Sequence, residues 1–318
     1  MRMWIAAVLV SLQSFQFGYA LSCLNSALVT GDANDPQRCY DNTDDSTPSC
    51  PPGTIYNDIK LSTLEAQIAT SLAILGAWIG CYCGSQPAEK YGRRLIILGT
   101  NIFFIVGGLL TALGFDVSSK RTFSLLLLSL IYYHLILASI ALYVGRFVVG
   151  FGVGIESVVV PVLLSEIASP ATRGTITTLH QVQITLAIFL SGVIGFGLVG
   201  FVDHGWQYLQ AGMILPSIIM LVCQRLVPES PKWLLMQSRA QEAVDMLVYL
   251  RADRCDVQAE LAVLQSETAK ESKLEKIAVS WKDVFSNKKA VVIGCGLMLS
   301  SAMSGLKSFY MVILHLVY

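Results

Sequence analysis

Charge is scarce in this chain. Only 14% of its 318 residues are Asp, Glu, Lys or Arg, and 22 basic side chains offset 22 acidic ones for a formal net charge of +0. Without a basic excess there is no electrostatic footprint for nucleic acid. Strand-like alternation and low-complexity tracts are missing too. Ser, His and Asp are scattered without a shared pocket, so no catalytic dyad emerges, and neither a phosphate loop nor a metal cluster stands out. Cys81-x-Cys83 is too isolated, and too close to apolar sequence, to read as a metal site. These absences argue against an enzyme and predict no cofactor. The first apolar run lacks a small-residue cleavage site, which makes it a first membrane span rather than a secretory signal.

Apolar residues are what the chain has in quantity. They make up 54% of it, with a mean hydropathy of +0.60, outside the soluble range. A multi-pass protein of the lipid bilayer is expected, all-α because its apolar runs have the length of spanning helices. Crossing about 30 Å of hydrocarbon takes about 20 residues. Apolar runs near that length cover Trp4 to Leu28, Leu64 to Gln86, Leu95 to Gly114, Thr175 to Gly200, Tyr208 to Leu226 and Ala290 to Tyr310, with one longer region ending near Leu164.

Lys and Arg set the orientation. Between Thr30 and Thr63 stand Asp32, Asp35, Asp41, Asp44, Asp45 and Asp58 against only Arg38 and Lys60, so residues 29–63 form an outside loop. Lys90, Arg93 and Arg94 crowd the next connection and place it inside. Residues 229–289 hold Lys270, Lys273, Lys276, Lys288 and Lys289 and are expected to be cytoplasmic, with short amphipathic helices at Gln241 to Leu250 and Val257 to Thr268. Cys39 and Cys50 in the outside loop are the one credible disulfide; Cys23, Cys81, Cys83, Cys223 and Cys295 fall in or beside spans as packing residues. With Arg93 and Arg173 both inside, the stretch between them makes an even number of crossings. Residues 118–142 are then an atypical insertion lying outside or in the interface.

Several polar residues interrupt the apolar sequence. Arg146 sits where an unpaired cation is costly, so it needs a partner or a polar interior. Glu156 is poorly placed to pair with it directly, which leaves water in a cavity as an alternative. Gly150 and Gly154 share one helix face at a spacing that permits close packing; no strand precedes Gly150-x-Gly-x-Gly154, which excludes a dinucleotide fingerprint. Glu166 and Arg173, around Pro170, form a candidate salt-bridge node. Gln181 offers two donors and an acceptor within an apolar helix, a cost repaid either by a hydroxyl-rich ligand or by a neighbouring helix, with Ile184 and Ile188 on its face.

Six motifs in order then carry a resemblance: Tyr91-Gly-Arg-Arg94, Gly145-Arg-Phe147, Ser165-Glu166, Arg173-Gly174, His180-Gln181 and Pro228-Glu-Ser-Pro-Lys-Trp-Leu-Leu235. Together they resemble the sugar porters of the major facilitator superfamily, and Ser11 to Tyr19 resembles the first helix of facilitative glucose transporters. The resemblance implies an N-terminal six-helix bundle over residues 1–228, a cytoplasmic helical linker over 229–289 and the start of a seventh helix, truncated, over 290–318. It also implies that hexose binds at the midplane, facing a second bundle, and moves by alternating access. In that frame Gln181, Ile184, Ile188 and Phe17 contact sugar, and Arg93, Arg94, Arg146, Glu166, Arg173 and Glu229 form the gating charge network. Ala20 stands where proton-coupled relatives carry aspartate opposite the arginine matched by Arg146. That exchange favours uniport over the alternative of proton symport, for which Glu156 is a candidate substitute carboxylate.

The pattern is departed from in three places. Ser85 and Glu89 replace a glycine and an aspartate or asparagine, residues 118–142 have no counterpart, and Ser301, Ala302 and Lys307 stand where paired glutamines and an asparagine are expected. Activity then requires a second transporter half or a homo-oligomer. The alternative is a non-transporting membrane protein or regulatory partner of an intact transporter. The plasma membrane is the expected location.

Overall fold

A computed structural model describes residues 2–28, 54–55, 63–112, 127–199, 201–251, 255–275 and 292. The elements among them are helical: α1 (Arg2–Ala27), α2 (Thr63–Tyr91), α3 (Arg93–Ala112), α4 (Leu127–Ile167), α5 (Arg173–Val199), α6 (Gly205–Ala211), α7 (Ile214–Val222), then α8 (Pro231–Met236), α9 (Ala240–Arg251) and α10 (Cys255–Glu275). Six of the described segments are long and apolar enough to cross a membrane: α1, Leu64–Tyr91 of α2, α3, Ser139–Ile167 of α4, α5, and α6 with α7 taken together. The candidate disulfide Cys39–Cys50 and the expected seventh helix lie outside the described residues.

Lipid is as apolar as a leucine face, so helices in it gain little by hiding apolar surface from one another. Close backbone approach and polar contacts drive association instead. Small residues supply that approach. Gly150 and Gly154 of α4 lie against the backbone carbonyls of Ala73 and Ala77 on α2, where any Cβ would collide. The expected packing role of this pair is what the geometry shows. α1 runs along α5, while α3 packs on the other side of α4. Large side chains face outward in a belt: Trp78 and Tyr82 on α2 are 73% and 72% exposed.

From Leu127 onward the insertion is part of a long helix rather than a separate element. α4 runs 41 residues from Leu127 to Ile167, about 60 Å at 1.5 Å per residue. That is twice the hydrocarbon thickness, and within it Ser139–Ile167 is long and apolar enough to cross a membrane.

Candidate functional site

Two helices carry the residues expected to meet a ligand. A side chain at Gly18 would run into the Ile184 carbonyl, so α1 and α5 touch backbone to backbone at this level. Around that point Ser14 Oγ lies 2.8 Å from Nδ1 of His180, and the Phe17 and His180 rings sit 6.5 Å apart at 54°. Further along, Ser22 Oγ donates to the Ile188 carbonyl at 3.4 Å. Ile184 is buried in this seam, Ile188 and Phe17 are half-buried at its edge, and Gln181 is exposed. The Gln181 side chain makes no hydrogen bond to a described residue, its helix bonding through the backbone carbonyl that accepts from Thr185 Oγ1 at 2.9 Å. Among the described residues, then, this amide makes no helix-to-helix bond.

Arg146 is 2% exposed between α1 and α4. Its Nη1 donates to the Ala20 carbonyl at 3.1 Å and approaches Cys23 Sγ at 3.7 Å. The expected partner therefore exists, and it is the backbone of the very residue that stands in the aspartate's place. Cys23 in turn donates to Gln210 Oε1 at 3.1 Å, so this cysteine belongs to a polar chain and not to packing alone.

Glu156 occupies a second node. It is 1% exposed, and its Oε1 accepts from Gln13 Nε2 at 2.7 Å and from Thr100 Oγ1 at 3.3 Å. Gln13 Nε2 also lies 3.2 Å from the Ile97 carbonyl. α1, α3 and α4 thus meet on one carboxyl group, enclosed by protein rather than facing water.

The charged residues gather where α2 turns into α3. Gly92 adopts φ +100°, a left-handed conformation natural to glycine, and a Cβ there would strike the Glu229 carboxylate. That carboxylate caps α3: its Oε1 accepts from the backbone N–H of Arg93 at 3.0 Å, of Arg94 at 3.2 Å and of Ser230 at 2.9 Å. Burial pushes the Glu229 carboxyl above its ordinary value, and the N–H donors together with the Arg93 charge oppose the rise. Arg93 Nε lies 3.3 Å from Glu166 Oε2, both side chains 9% exposed. Arg94 donates to the Gln224 carbonyl at 2.9 Å. The expected Glu166–Arg173 node is therefore corrected: Glu166 belongs to Arg93, and Arg173 is exposed at the start of α5, outside this cluster. Pro170 breaks the chain between them and turns α5 away. Trp233 Nε1 donates to the Glu89 carbonyl at 2.7 Å, so the unusual residue at 89 is used through its backbone.

A profile described as sugar (and other) transporter matches residues 6–312. The chain belongs to this sugar transporter family. It is 26% identical over 306 residues to myo-inositol transporter 1 of Saccharomyces cerevisiae, covering 94% of this chain and 45% of that protein. It is 28% identical over 242 residues to the glucose transporter GlcP of Staphylococcus epidermidis, covering 76% and 48%. It is 31% identical over 255 residues to sugar transporter ERD6-like 9 of Arabidopsis thaliana, covering 79% and 68%. The chain spans about half the length of most of these relatives. Among solved structures, the major facilitator superfamily proton:xylose symporter XylE bound to 6-bromo-6-deoxy-D-glucose superposes with a TM-score of 0.65 at 18% identity, over 85% of this chain and 54% of that one. At that identity the likeness shows the fold alone: the N-terminal half of a major facilitator bundle.

For this sugar transporter family member, residue reading brought together Phe17 with the Gln181 helix, and Arg93 with Glu166 and Glu229. It missed the Gln13–Thr100–Glu156 node. A signal existed in Gln13 and Gln16, two amides three apart on one face of an apolar helix. Both are buried, and Gln16 bonds Ser217 of α7.

Proposed function

We propose that the chain supplies the N-terminal wall of a hexose transporter that works by alternating-access facilitated diffusion in the plasma membrane. One observation carries this reading: an exposed Gln181 carboxamide with no hydrogen bond to a described residue, on a helix that meets α1 backbone to backbone at Gly18 and carries Ile184 and Ile188 three and seven residues further on. A neutral polyhydroxylated ring needs that combination of amide donors and acceptor with flat apolar surface. Glucose is the first substrate to test, with myo-inositol and xylose as competitors, because the relatives' names span all three chemistries.

The opposite wall of the cleft must come from further helices, either a second transporter half or a second copy. The charge cluster at the Arg93 end is read as the latch that holds one state, since its ion pair and cap cross from α2–α3 to α4 and to Glu229 ahead of α8. The contact from Arg146 to the Ala20 carbonyl supports uniport, because a backbone carbonyl carries no proton at physiological pH.

Uptake of radiolabelled glucose into liposomes containing the purified protein tests the proposal. Gln181→Ala is expected to weaken uptake by roughly threefold to tenfold, the worth of one or two neutral hydrogen bonds, without lowering thermal stability. Absence of uptake would favour the alternative, a non-transporting partner of an intact transporter. Glucose accumulating against its gradient under an imposed pH difference would refute uniport.

A further inference from the structure

The sugar site and the latch leave one buried ionisable group without a task. Glu156 lies midway along the spanning part of α4, and among the described residues none of its hydrogen-bond or ion-pair partners is a cation. From α1 it meets Gln13, and from α3 Thr100, with Asn101 the next residue on that helix; none of these carries charge. On α2, Cys81 Sγ lies 3.1 Å from Ser157 Oγ, the neighbouring residue's hydroxyl. On α5, His180 bonds Ser14, the residue after Gln13. Arg93 is committed to Glu166, and Lys232 of α8 lies toward that same end. Arg146, on the same helix, is ten residues away, about 15 Å along the axis.

The hydrogen-bond balance of the node points the same way. Its unpartnered buried atoms are Oε1 of Gln13, Oδ1 of Asn101 and Oε2 of Glu156. All three are acceptors. The donors that reach the carboxyl group, the Gln13 amide and the Thr100 hydroxyl, are both neutral and both go to Oε1. Ionisation there would also leave a buried charge with no counterion in a low-dielectric interior, which side chains in membranes avoid by neutralising.

We infer that Glu156 is a proton-binding site: in this packing its free oxygen carries a hydrogen, and the proton leaves for bulk water only when α1, α3 and α4 separate. Ionised Glu156 cannot re-enter the seam. Its consequence for transport rests on the reading of the preceding section; the protonation itself does not.

Infrared spectroscopy of the purified protein at neutral pH separates the two. Subtracting the Glu156→Gln spectrum from that of the wild type is expected to leave the carbonyl stretch of a protonated carboxyl, shifted in D2O. Glutamine reproduces the neutral shape, so this variant folds; Glu156→Ala serves as a second subtraction. In liposomes, glucose exchange by the wild type is expected to fall about tenfold per pH unit once ionisation sets in, as a single-proton titration requires, and the Glu156→Gln variant to lose that dependence. Carboxylate bands in place of the acid band overturn the inference, as does a Glu156→Gln variant with the wild-type pH profile. An acid band in a protein that moves no glucose supports the proton site and removes the transport reading instead.

Discussion

The middle of the bundle and its Arg93 end treat buried carboxyl groups in opposite ways. At the end, Glu166 lies 3.3 Å from the Arg93 guanidinium, and Glu229 accepts the first free N–H groups of α3. In the middle, Glu156 finds one amide and one hydroxyl. The contrast follows from what a helix offers along its length. Its first N–H groups are unpaired and its terminus carries partial positive charge, while every interior N–H is already spent on a carbonyl four residues earlier. The one arginine buried within the spanning part of α4, Arg146, is held by the Ala20 carbonyl and not by a carboxylate. Carboxylates with charged or helix-terminal partners are therefore found at the Arg93 end, and in the interior a carboxyl group is held by neutral donors.

Removing a partner at each place tests that contrast. Arg93→Met strands Glu166, whose side chain is 9% exposed, without its cation; a loss of about 3 kcal/mol is expected, read as a lower thermal midpoint in detergent. A variant as stable as the wild type would break the comparison. Glu156→Ala strands the Gln13 amide and is expected to cost about 1 to 3 kcal/mol, with Glu156→Gln recovering most of it. If glutamine were no better than alanine, the interior carboxyl would be acting as an anion after all.

Glu229 sharpens the comparison through pH. Its carboxyl is raised above the ordinary value of 4.5, so whatever it adds to stability is full at pH below that value and is lost as pH rises through the folded one. Thermal midpoints of wild type and Glu229→Gln followed across this range are expected to shift in the variant's favour as pH increases. A shift in the wild type's favour would show that the capping N–H groups, rather than burial, dominate. The smallest effect is expected at Arg239, whose bond to Glu242 spans 2.5 Å in the open, with the two side chains 47% and 55% exposed. Arg239→Ala should leave the midpoint unchanged within error, because solvent and salt screen such pairs.

Much of the architecture was legible because a membrane span announces itself by length and apolarity alone. The six described spans fall close to where the apolar runs predicted them, and Gly150 with Gly154 packed as their spacing suggested. The residues proposed to face sugar and to form a latch came from motif resemblance, and the geometry brings Phe17 to His180 and Glu229 to Arg93. Arg173 was misplaced because seven residues of separation say nothing about direction once Pro170 breaks the helix. Gln13 and Glu156 were missed as a pair for a different reason: they lie 143 residues apart, and apolar helices buried on several sides show no stripe from which to read the facing side.

Composition and the length of the apolar runs were enough to determine the solvent and the six described spans, since lipid penalises every unpaired backbone group and every stray charge regardless of fold. Rotation of each helix about its own axis was decided only in three dimensions. Backbone contacts at Gly18 and Gly150, a few ångströms wide, turn Gln181 outward, Arg146 onto the Ala20 carbonyl and Glu156 into a sealed seam. Such contacts depend on which surfaces meet, and no single helix encodes its neighbour.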